Sequence, residues 1–252
     1  EFSALEQLAA EKRPSQFYGP LGIEGDQARA RAAAMRSVAG TPADIATAES
    51  ARAATTKPMR TSALDDANIV GVSTDTLLRQ IRGVESQPGI RASDVVSKSL
   101  SKVKEKIQEF TNADGFINAK DLYTIRKEIG NIIEQNVQET KNWDKRLTGG
   151  LQRDLQKNID DSIEAAGGRG WKDYLRTYSD MSKPIEQMKA GQTLESKLLA
   201  PLSEDSAQRA HVYANALREQ GDLSQIFTPR QSHTLESLRE ELARDAMVKE
   251  LA

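Results

Sequence analysis

The sequence predicts an all-α fold, an elongated helical bundle or a set of helical hairpins with no significant sheet. From Ser93 to Met188, apolar residues recur at steps of three and four, the spacing that places side chains on one face of a helix. Glycine and proline stand between these periodic segments, where they end or begin helices, and no segment alternates as a strand does. Hydrophobic residues make up 38% and aromatic residues 5% of the chain, whereas charged residues reach 29%, which favours solvated helices over a spherical core.

Residues 1–60 differ in composition from the rest of the chain, because they are rich in alanine, arginine and threonine. They are predicted to form a helical arm, and residues 61–252 a helical bundle domain. Since alanine supplies most apolar positions of the arm, its helices bury little area by themselves. We expect the arm to pack on a neighbour or to be the most mobile part of an isolated monomer. Because the chain begins with Glu1-Phe2 and not with a methionine, both parts are predicted to belong to a fragment of a longer protein.

Helix starts and stops divide the arm into elements. We expect a short helix over residues 1–12, a linker over 14–25, a helix over 26–39 and a helix from 41 to about 56. Asp26 and Thr41 are of the types that cap helix N-termini, and Pro42 suits a first helical turn. Gly40 ends the earlier helix, and Pro58 is predicted to limit the later one.

The same reasoning predicts a succession of helices in the bundle domain. We expect helices over residues 74–84, 93–110, 118–137, 143–163, 169–189, 194–202, 203–220 and 228–252. The short turn at 111–115 predicts an antiparallel helix pair. Glycines 149 and 150 predict a kink or a close helix contact, and Pro184 predicts a kink or a new helix start. Between 147 and 163 the apolar residues step by four, so their stripe drifts and must face several partners.

Charge and residue types exclude several classes of function. The chain has 35 Lys and Arg against 37 Asp and Glu, a net charge of −2, so no global basic field attracts nucleic acid. The absence of cysteine excludes disulfides, thiolate metal sites and cysteine catalysis. No apolar run approaches the roughly 18 residues of a transmembrane helix, and the start lacks the layout of a signal peptide.

Residues 112–121 resemble the second half of an EF-hand calcium loop. Gly115 would be its sixth position and Ile117 its eighth. The first position would then be Phe110, which cannot bind calcium, and the twelfth is Asp121 where a bidentate Glu is preferred. We therefore interpret the segment as a turn between helices, with Asn118 capping the second helix.

The pair Glu85-Ser86 has a counterpart in lytic transglycosylases, where a protonated Glu acts as general acid. Those enzymes continue with a Gly-Ala-x-Gly-Leu type of stretch, whereas this chain has Ala-Ser-Asp-Val-Val at 92–96. We interpret Glu85 as a residue at a helix end.

The remaining candidate groups also favour structural roles. His211 and His233 are isolated and have no second ligand at helical spacing. The Gly-Gly-Arg-Gly run at 167–170 follows no strand and is read as a turn between helices. Lysines 98, 102, 104 and 106 alternate with acidic residues, as on a solvated face, and they leave nucleic-acid contact open with weak support. The aromatic side chains predicted to anchor the core where helices cross are Trp143, Trp171, Tyr174 and Tyr178.

Three stretches resemble a group of long helical proteins that tailed bacteriophages and prophages encode among their virion structural genes. They are TPADI at 41–45 with ARAATTKP at 51–58, DGFINA at 114–119 with LYTIRKEIG at 122–130, and GRGWKDYL at 168–175 with YSDMSKPI at 178–185. The resemblance covers about residues 40–250, although Met59 stands where the family usually has an aromatic residue. It implies an internal protein or one ejected with the DNA, and longer members carry separate enzymatic domains.

The leading hypothesis is a non-enzymatic structural or assembly component of a phage virion, located in the virion or in the host cytoplasm during assembly. It predicts self-association or binding to other virion proteins, and no small-molecule substrate. The sequence predicts no catalytic, cofactor-binding or metal-binding residues, and no cofactor. Two alternatives stay open, namely a peptidoglycan-cleaving virion enzyme or its accessory domain, and a bacterial helical adaptor protein.

Overall fold

The structure, a computed structural model, describes residues 24–91, 93–137, 142–199 and 206–250. The helices are α1 (Glu24–Ala39), α2 (Pro42–Asn68), α3 (Thr74–Glu85), α4 (Pro88–Arg91), α5 (Asp94–Glu109), α6 (Ala119–Val137), α7 (Asn142–Ala165), α8 (Trp171–Leu199), α9 (Ser206–Glu219), α10 (Leu223–Ile226) and α11 (Pro229–Glu250). Two short strands accompany them, β1 (Val72–Ser73) and β2 (Phe116–Ile117). The predicted all-α class is confirmed. The helix expected over residues 1–12 and the linker expected over 14–25 lie outside the described residues, except for Glu24 and Gly25, which belong to α1 and not to a linker.

The two strands form a small antiparallel ladder that the sequence analysis did not predict. Val72 pairs with Ile117 and Ser73 with Phe116, and Ile117 also forms a bridge to Thr111. A two-residue strand is too short to show an alternating pattern. The ladder therefore depends on the meeting of two loops that are distant in the sequence.

The described residues form two compact units by their contacts. The first unit contains residues up to Ala53 together with those from Ser179 onward, and the second unit contains Ala54 to Tyr178. The division falls inside α2 and inside α8. These contacts group the residues differently from the arm and bundle proposed above, and a domain boundary at residue 60 stays a prediction.

The second unit is built on α3, α5, α6 and α7, which pack around one apolar core. Each helix contributes fully buried side chains, for example Leu77, Leu100, Ile125 and Leu155. Helix α7 contacts α3, α5, α6 and β1, as expected of an apolar stripe that drifts around the helix. The close helix contact suggested at glycines 149 and 150 is wrong for the part of the chain that the structure describes, because a Cβ atom at either position would meet none of its atoms within 4 Å.

The first unit has its own apolar core, to which α1, the later part of α8, α9 and α11 contribute. Met35 and Val38 of α1 are almost fully buried in it. This burial within the chain exceeds what the alanine-rich composition suggested. The reason is the close approach that small residues allow, since a Cβ atom at Gly191 would lie 2.7 Å from Ala39 Cα.

Several helix boundaries differ from those predicted. Helix α2 continues through Pro58 to Asn68, and α8 continues through Pro184 and Gly191 to Leu199. Both prolines are exposed, so a carbonyl that loses its helical partner can be solvated by water. Burial of residues beyond each proline, such as Leu64 and Leu194, offsets the local cost.

Capping signals were more reliable than proline stops. Thr41 and Asp44 form a reciprocal capping box, with Asp44 N donating to Thr41 Oγ1 at 3.1 Å and Thr41 N to Asp44 Oδ2 at 2.8 Å. Ser93 accepts from Val96 N at the start of α5, and Gly40 ends α1 with a positive φ of 59°. Asp26 lies inside α1 and not at its cap, since that helix begins two residues earlier.

Candidate functional site

A cluster of polar and aromatic side chains in the second unit lies where α6 meets the start of α8. Tyr123 of α6 and Trp171 of α8 are packed edge to face, with ring centroids 5.7 Å apart, and Trp171 lies 5.0 Å from Tyr174. The hydroxyl groups of Tyr123 and Tyr174 share a hydrogen bond of 3.2 Å. We call Tyr123, Trp171 and Tyr174 the aromatic cluster. Trp171 and Tyr174 are buried, which agrees with the predicted role in the core.

Two other aromatic residues were predicted to anchor the core. The ring of Tyr178 lies 6.0 Å from that of Tyr174, but Tyr178 is 40% exposed and belongs to the surface. The side chain of Trp143 lies outside the described residues.

A charged pair supports the aromatic cluster from α6 and α7. Arg126 donates to both carboxylate oxygens of Asp160, at 2.6 and 2.9 Å, and Trp171 Nε1 donates to Asp160 Oδ1 at 2.9 Å. Asp160 is nearly buried, so these three bonds satisfy a carboxylate that would otherwise be costly to desolvate. The network ties α6, α7 and α8 together.

Two cations flank Tyr123. Arg60 of α2 lies 5.3 Å and Lys127 of α6 lies 5.0 Å from the ring centroid, and Arg60 Nη1 donates to Tyr123 Oη at 3.4 Å. Burial tends to raise the pKa of Tyr123, but the hydrogen bonds from Tyr174 and Arg60 and the two positive charges outweigh it and lower the pKa. For Tyr174, burial and its bond to Tyr123 raise the pKa.

This arrangement is suited to holding helices together. The phenol groups, the indole nitrogen and the carboxylate of Asp160 bond to one another and to Arg60 and Arg126. Within the part of the chain that the structure describes, no group of three His, Cys, Asp or Glu side chains is placed to hold a metal ion.

A second network of charges lies in the first unit. Arg31 of α1 pairs with Glu241 at 3.3 Å and with Asp245 at 3.1 Å, both on α11. Glu241 is fully buried. In the same unit, Tyr213 Oη of α9 donates to the carbonyl oxygen of Leu235 on α11 at 3.3 Å, and burial raises the pKa of Tyr213. This network also joins helices.

The EF-hand-like segment is a turn between α5 and α6 that carries β2. Asn112 Oδ1 accepts from Asp114 N and from Phe116 N, at 3.1 and 2.9 Å. The carbonyl of Phe116, which would be a calcium ligand in an EF-hand, accepts from Asn112 N at 2.8 Å. Asn118 Oδ1 accepts from Lys120 N at 2.8 Å, as predicted for a cap. The turn therefore uses candidate ligand oxygens for its own hydrogen bonds.

Glu85 lies at the C-terminal end of α3 and pairs with Lys104 of α5. Lys104 Nζ donates to both of its carboxylate oxygens, at 3.1 and 2.9 Å. A general acid must instead present a protonated oxygen to the leaving group. The geometry of Glu85 thus agrees with the structural interpretation.

The other candidates have structural partners of their own or form a turn. His211 Nε2 shares a hydrogen bond of 2.9 Å with Asn215 Nδ2, and both histidines are exposed. Residues 167–170 form the turn between α7 and α8, in which Gly168 N donates to Ile163 O at 3.0 Å. In the lysine stretch, Lys106 approaches Glu109 to 3.9 Å.

Sequence reasoning singled out Trp171 and Tyr174 but missed Arg60, Arg126 and Asp160. Arg126 and Asp160 are 34 positions apart, and Arg60 and Tyr123 are 63 apart. No local spacing signals such pairs. The one local hint concerned Asp160. The apolar residues Ile159 and Ile163 next to it lie on the inner face of a helix, which suggests that the side chain of Asp160 is partly buried as well.

Comparison of this chain with models of protein families, with curated proteins and with solved structures found no match. None of the described helices is long and apolar enough to cross a membrane.

Proposed function

We propose that this chain is a non-enzymatic structural or assembly component of a tailed-phage virion. The narrower form of the proposal is an internal protein that is ejected with the DNA. What supports it is the resemblance described above, together with the places that the resembling stretches occupy in the fold.

The observation that carries the proposal is that these stretches contact one another. Tyr123 of the second stretch packs on Trp171 and Tyr174 of the third. In the first unit, Arg52 of the first stretch donates to Ser182 Oγ of the third at 2.8 Å. Residues that resemble the phage group therefore hold helices together. A likeness in such residues is a likeness in fold, and it fits a protein whose function depends on its helical framework.

The proposal is tested by locating the protein after induction of the prophage or infection by the phage that encodes it. An epitope-tagged chain is expected to co-sediment with DNA-filled particles in a density gradient and to resist a high-salt wash. Tagged cytosolic protein from the same host serves as the control. Recovery of the chain only from the soluble fraction would overturn the proposal.

An assay of the purified chain on isolated peptidoglycan separates this proposal from the enzymatic alternative. We expect no release of muropeptides, because the carboxylate of Glu85 is engaged by Lys104. Muropeptide release that the Glu85→Gln variant loses would favour the lytic enzyme instead.

A further inference from the structure

One end of the second unit presents apolar side chains to solvent. Ile69 is 82% exposed and Val70 is 68% exposed, at the turn between α2 and β1. Scattered single exposures of this kind are common, but two adjacent large aliphatic side chains at the edge of a cleft indicate an interaction site.

The cleft beside them measures about 260 Å³ and is lined among others by Val70, Val72, Phe116, Ala165 and Ala166. None of the described residues that line it carries a charge. The volume suits one or two aliphatic side chains and is too small for a typical drug-sized ligand, which needs roughly 300–1,000 Å³. We call this cleft together with Ile69 and Val70 the loop-end surface.

The backbone holds the loop-end surface in place. Gly71 has a positive φ of 83°, and a Cβ atom there would lie 3.2 Å from Phe116 Cβ, so glycine allows the turn and the close contact. Gly71 N donates to Ala67 O at 3.0 Å, and the pairing of Val72 with Ile117 anchors the following residues. A surface held in this way loses little conformational entropy on binding.

The charges around the loop-end surface indicate which partner it suits. The segments that form it and its border, residues 65–76, 110–121 and 162–169, carry six carboxylates against one lysine and one arginine. Two of the six are in ion pairs, Asp65 with Lys120 at 2.7 Å and Glu164 with Lys172, so the excess of negative charge comes from the other four. Asp75 and Asp114 are exposed, and the residues next to them in the chain are joined by a backbone hydrogen bond, in which Thr74 N donates to Gly115 O at 3.0 Å. The carbonyl end of α2, which carries Asp66 in its last turn, adds to the negative potential.

We propose that the loop-end surface binds a short apolar segment of another protein chain that carries flanking lysine or arginine residues. The aliphatic side chains of the partner enter the cleft and pack on Ile69 and Val70, and its cations face Asp75 and Asp114. The negative border disfavours nucleic acid and anionic lipid surfaces, since both carry the same sign of charge. The inference goes beyond the virion role and does not depend on it, because it follows from the shape and charge of the second unit.

The test uses the whole chain and two fluorescent helical probe peptides of the same leucine pattern, one with lysine and one with glutamate at its polar positions. Fluorescence anisotropy is expected to show binding of the lysine peptide, weakened by salt, and much weaker binding of the glutamate peptide. The double variant Ile69→Ser, Val70→Ser is expected to bind the lysine peptide at least roughly tenfold more weakly. The double variant Asp75→Asn, Asp114→Asn is expected to lose several-fold.

Met247→Ser is the matched control, because Met247 is also a large apolar residue, 62% exposed, and belongs to the first unit. It should bind like the wild-type chain, and circular dichroism should show the same helix content for all variants. Equal binding by the Ile69→Ser, Val70→Ser chain, equal binding of the two peptides, or no binding of the lysine peptide would each overturn the proposal. If sedimentation shows that the chain is a dimer and that the Ile69→Ser, Val70→Ser variant is a monomer, the proposed partner is wrong, and the surface binds a second copy of this chain.

Discussion

Asp160 provides the sharpest test of what stabilises the second unit. Replacing it with alanine leaves Trp171 Nε1, which is fully buried, without an acceptor, and removes the bidentate partner of Arg126. An unsatisfied buried donor costs about 1–3 kcal/mol, and a charge-assisted bond contributes about 1.5–3 kcal/mol. The side chain of Arg126 is 20% exposed, so water recovers part of that loss. We expect Asp160→Ala to lower the free energy of unfolding by about 3 kcal/mol.

The neighbouring residue supplies a matched control. Asp161 has the same side chain on the same helix, but it is 36% exposed and pairs with Lys157 at 2.8 Å on the surface. Such pairs contribute about 0.5 kcal/mol or less, so Asp161→Ala should be almost neutral. Asp160→Asn should fall between the two, because its amide oxygen can still accept from Trp171 while the charge is lost.

Urea unfolding followed by tryptophan fluorescence measures these differences. The chain has two tryptophans, Trp143 and Trp171, and both belong to the second unit, so the signal reports that unit. With a slope of about 2 kcal/mol per molar urea, Asp160→Ala should lower the midpoint by about 1.5 M at unchanged slope. If Asp160→Ala and Asp161→Ala unfold at the same urea concentration, the assigned role of the buried network is refuted.

Three further outcomes are expected. Gly168→Ala should destabilise the second unit by about 1–3 kcal/mol, because the added Cβ would lie 2.7 Å from Ile163 O. Gly149→Ala should be neutral or stabilising by up to about 1 kcal/mol, since alanine favours a helix more than glycine does. The reverse order of stability in urea unfolding would contradict this packing. In an ultraviolet alkaline titration, Tyr123 should ionise below the usual pH range of tyrosine, and this step should be missing from the Tyr123→Phe variant. Because the lowered pKa means that folding favours the ionised form, this contribution to stability appears only above the lowered pKa and is absent at neutral pH. Millimolar calcium or EDTA should leave the melting temperature unchanged, because the turn at 110–121 bonds to itself, and a rise of several degrees with calcium would show that it binds the ion.

Local signals in the sequence predicted most helices and several of their ends. The capping box of Thr41 and Asp44 and the cap of Ser93 depend only on residues within one turn, so their chemistry can be read from the sequence. The stop predicted at Pro58 is wrong for the opposite reason. A proline interrupts a helix only when burial farther along the chain does not outweigh its cost, and that burial is not local.

The aromatic cluster shows the same limit for a candidate site. Trp171 and Tyr174 were predicted to be buried because large aromatic side chains at helical spacing usually are. Their partners Arg60, Arg126 and Asp160 are polar residues like many others on these helices. Apart from the apolar residues that flank Asp160, nothing within a few residues of them distinguishes a buried ion pair from a solvated one.

By itself, the sequence determined the all-α class, the approximate helix list and the turns at Gly40, residues 111–115 and residues 167–170. These features depend on spacing of apolar residues and on backbone preferences, both of which act over a few residues. Only the tertiary structure decided that residues 24–53 pack with 179–199 and 206–250, that Val72 pairs with Ile117, and that Ile69 and Val70 remain exposed beside a cleft. Each of these results depends on which distant faces meet, and that is set by the summed packing of the whole chain.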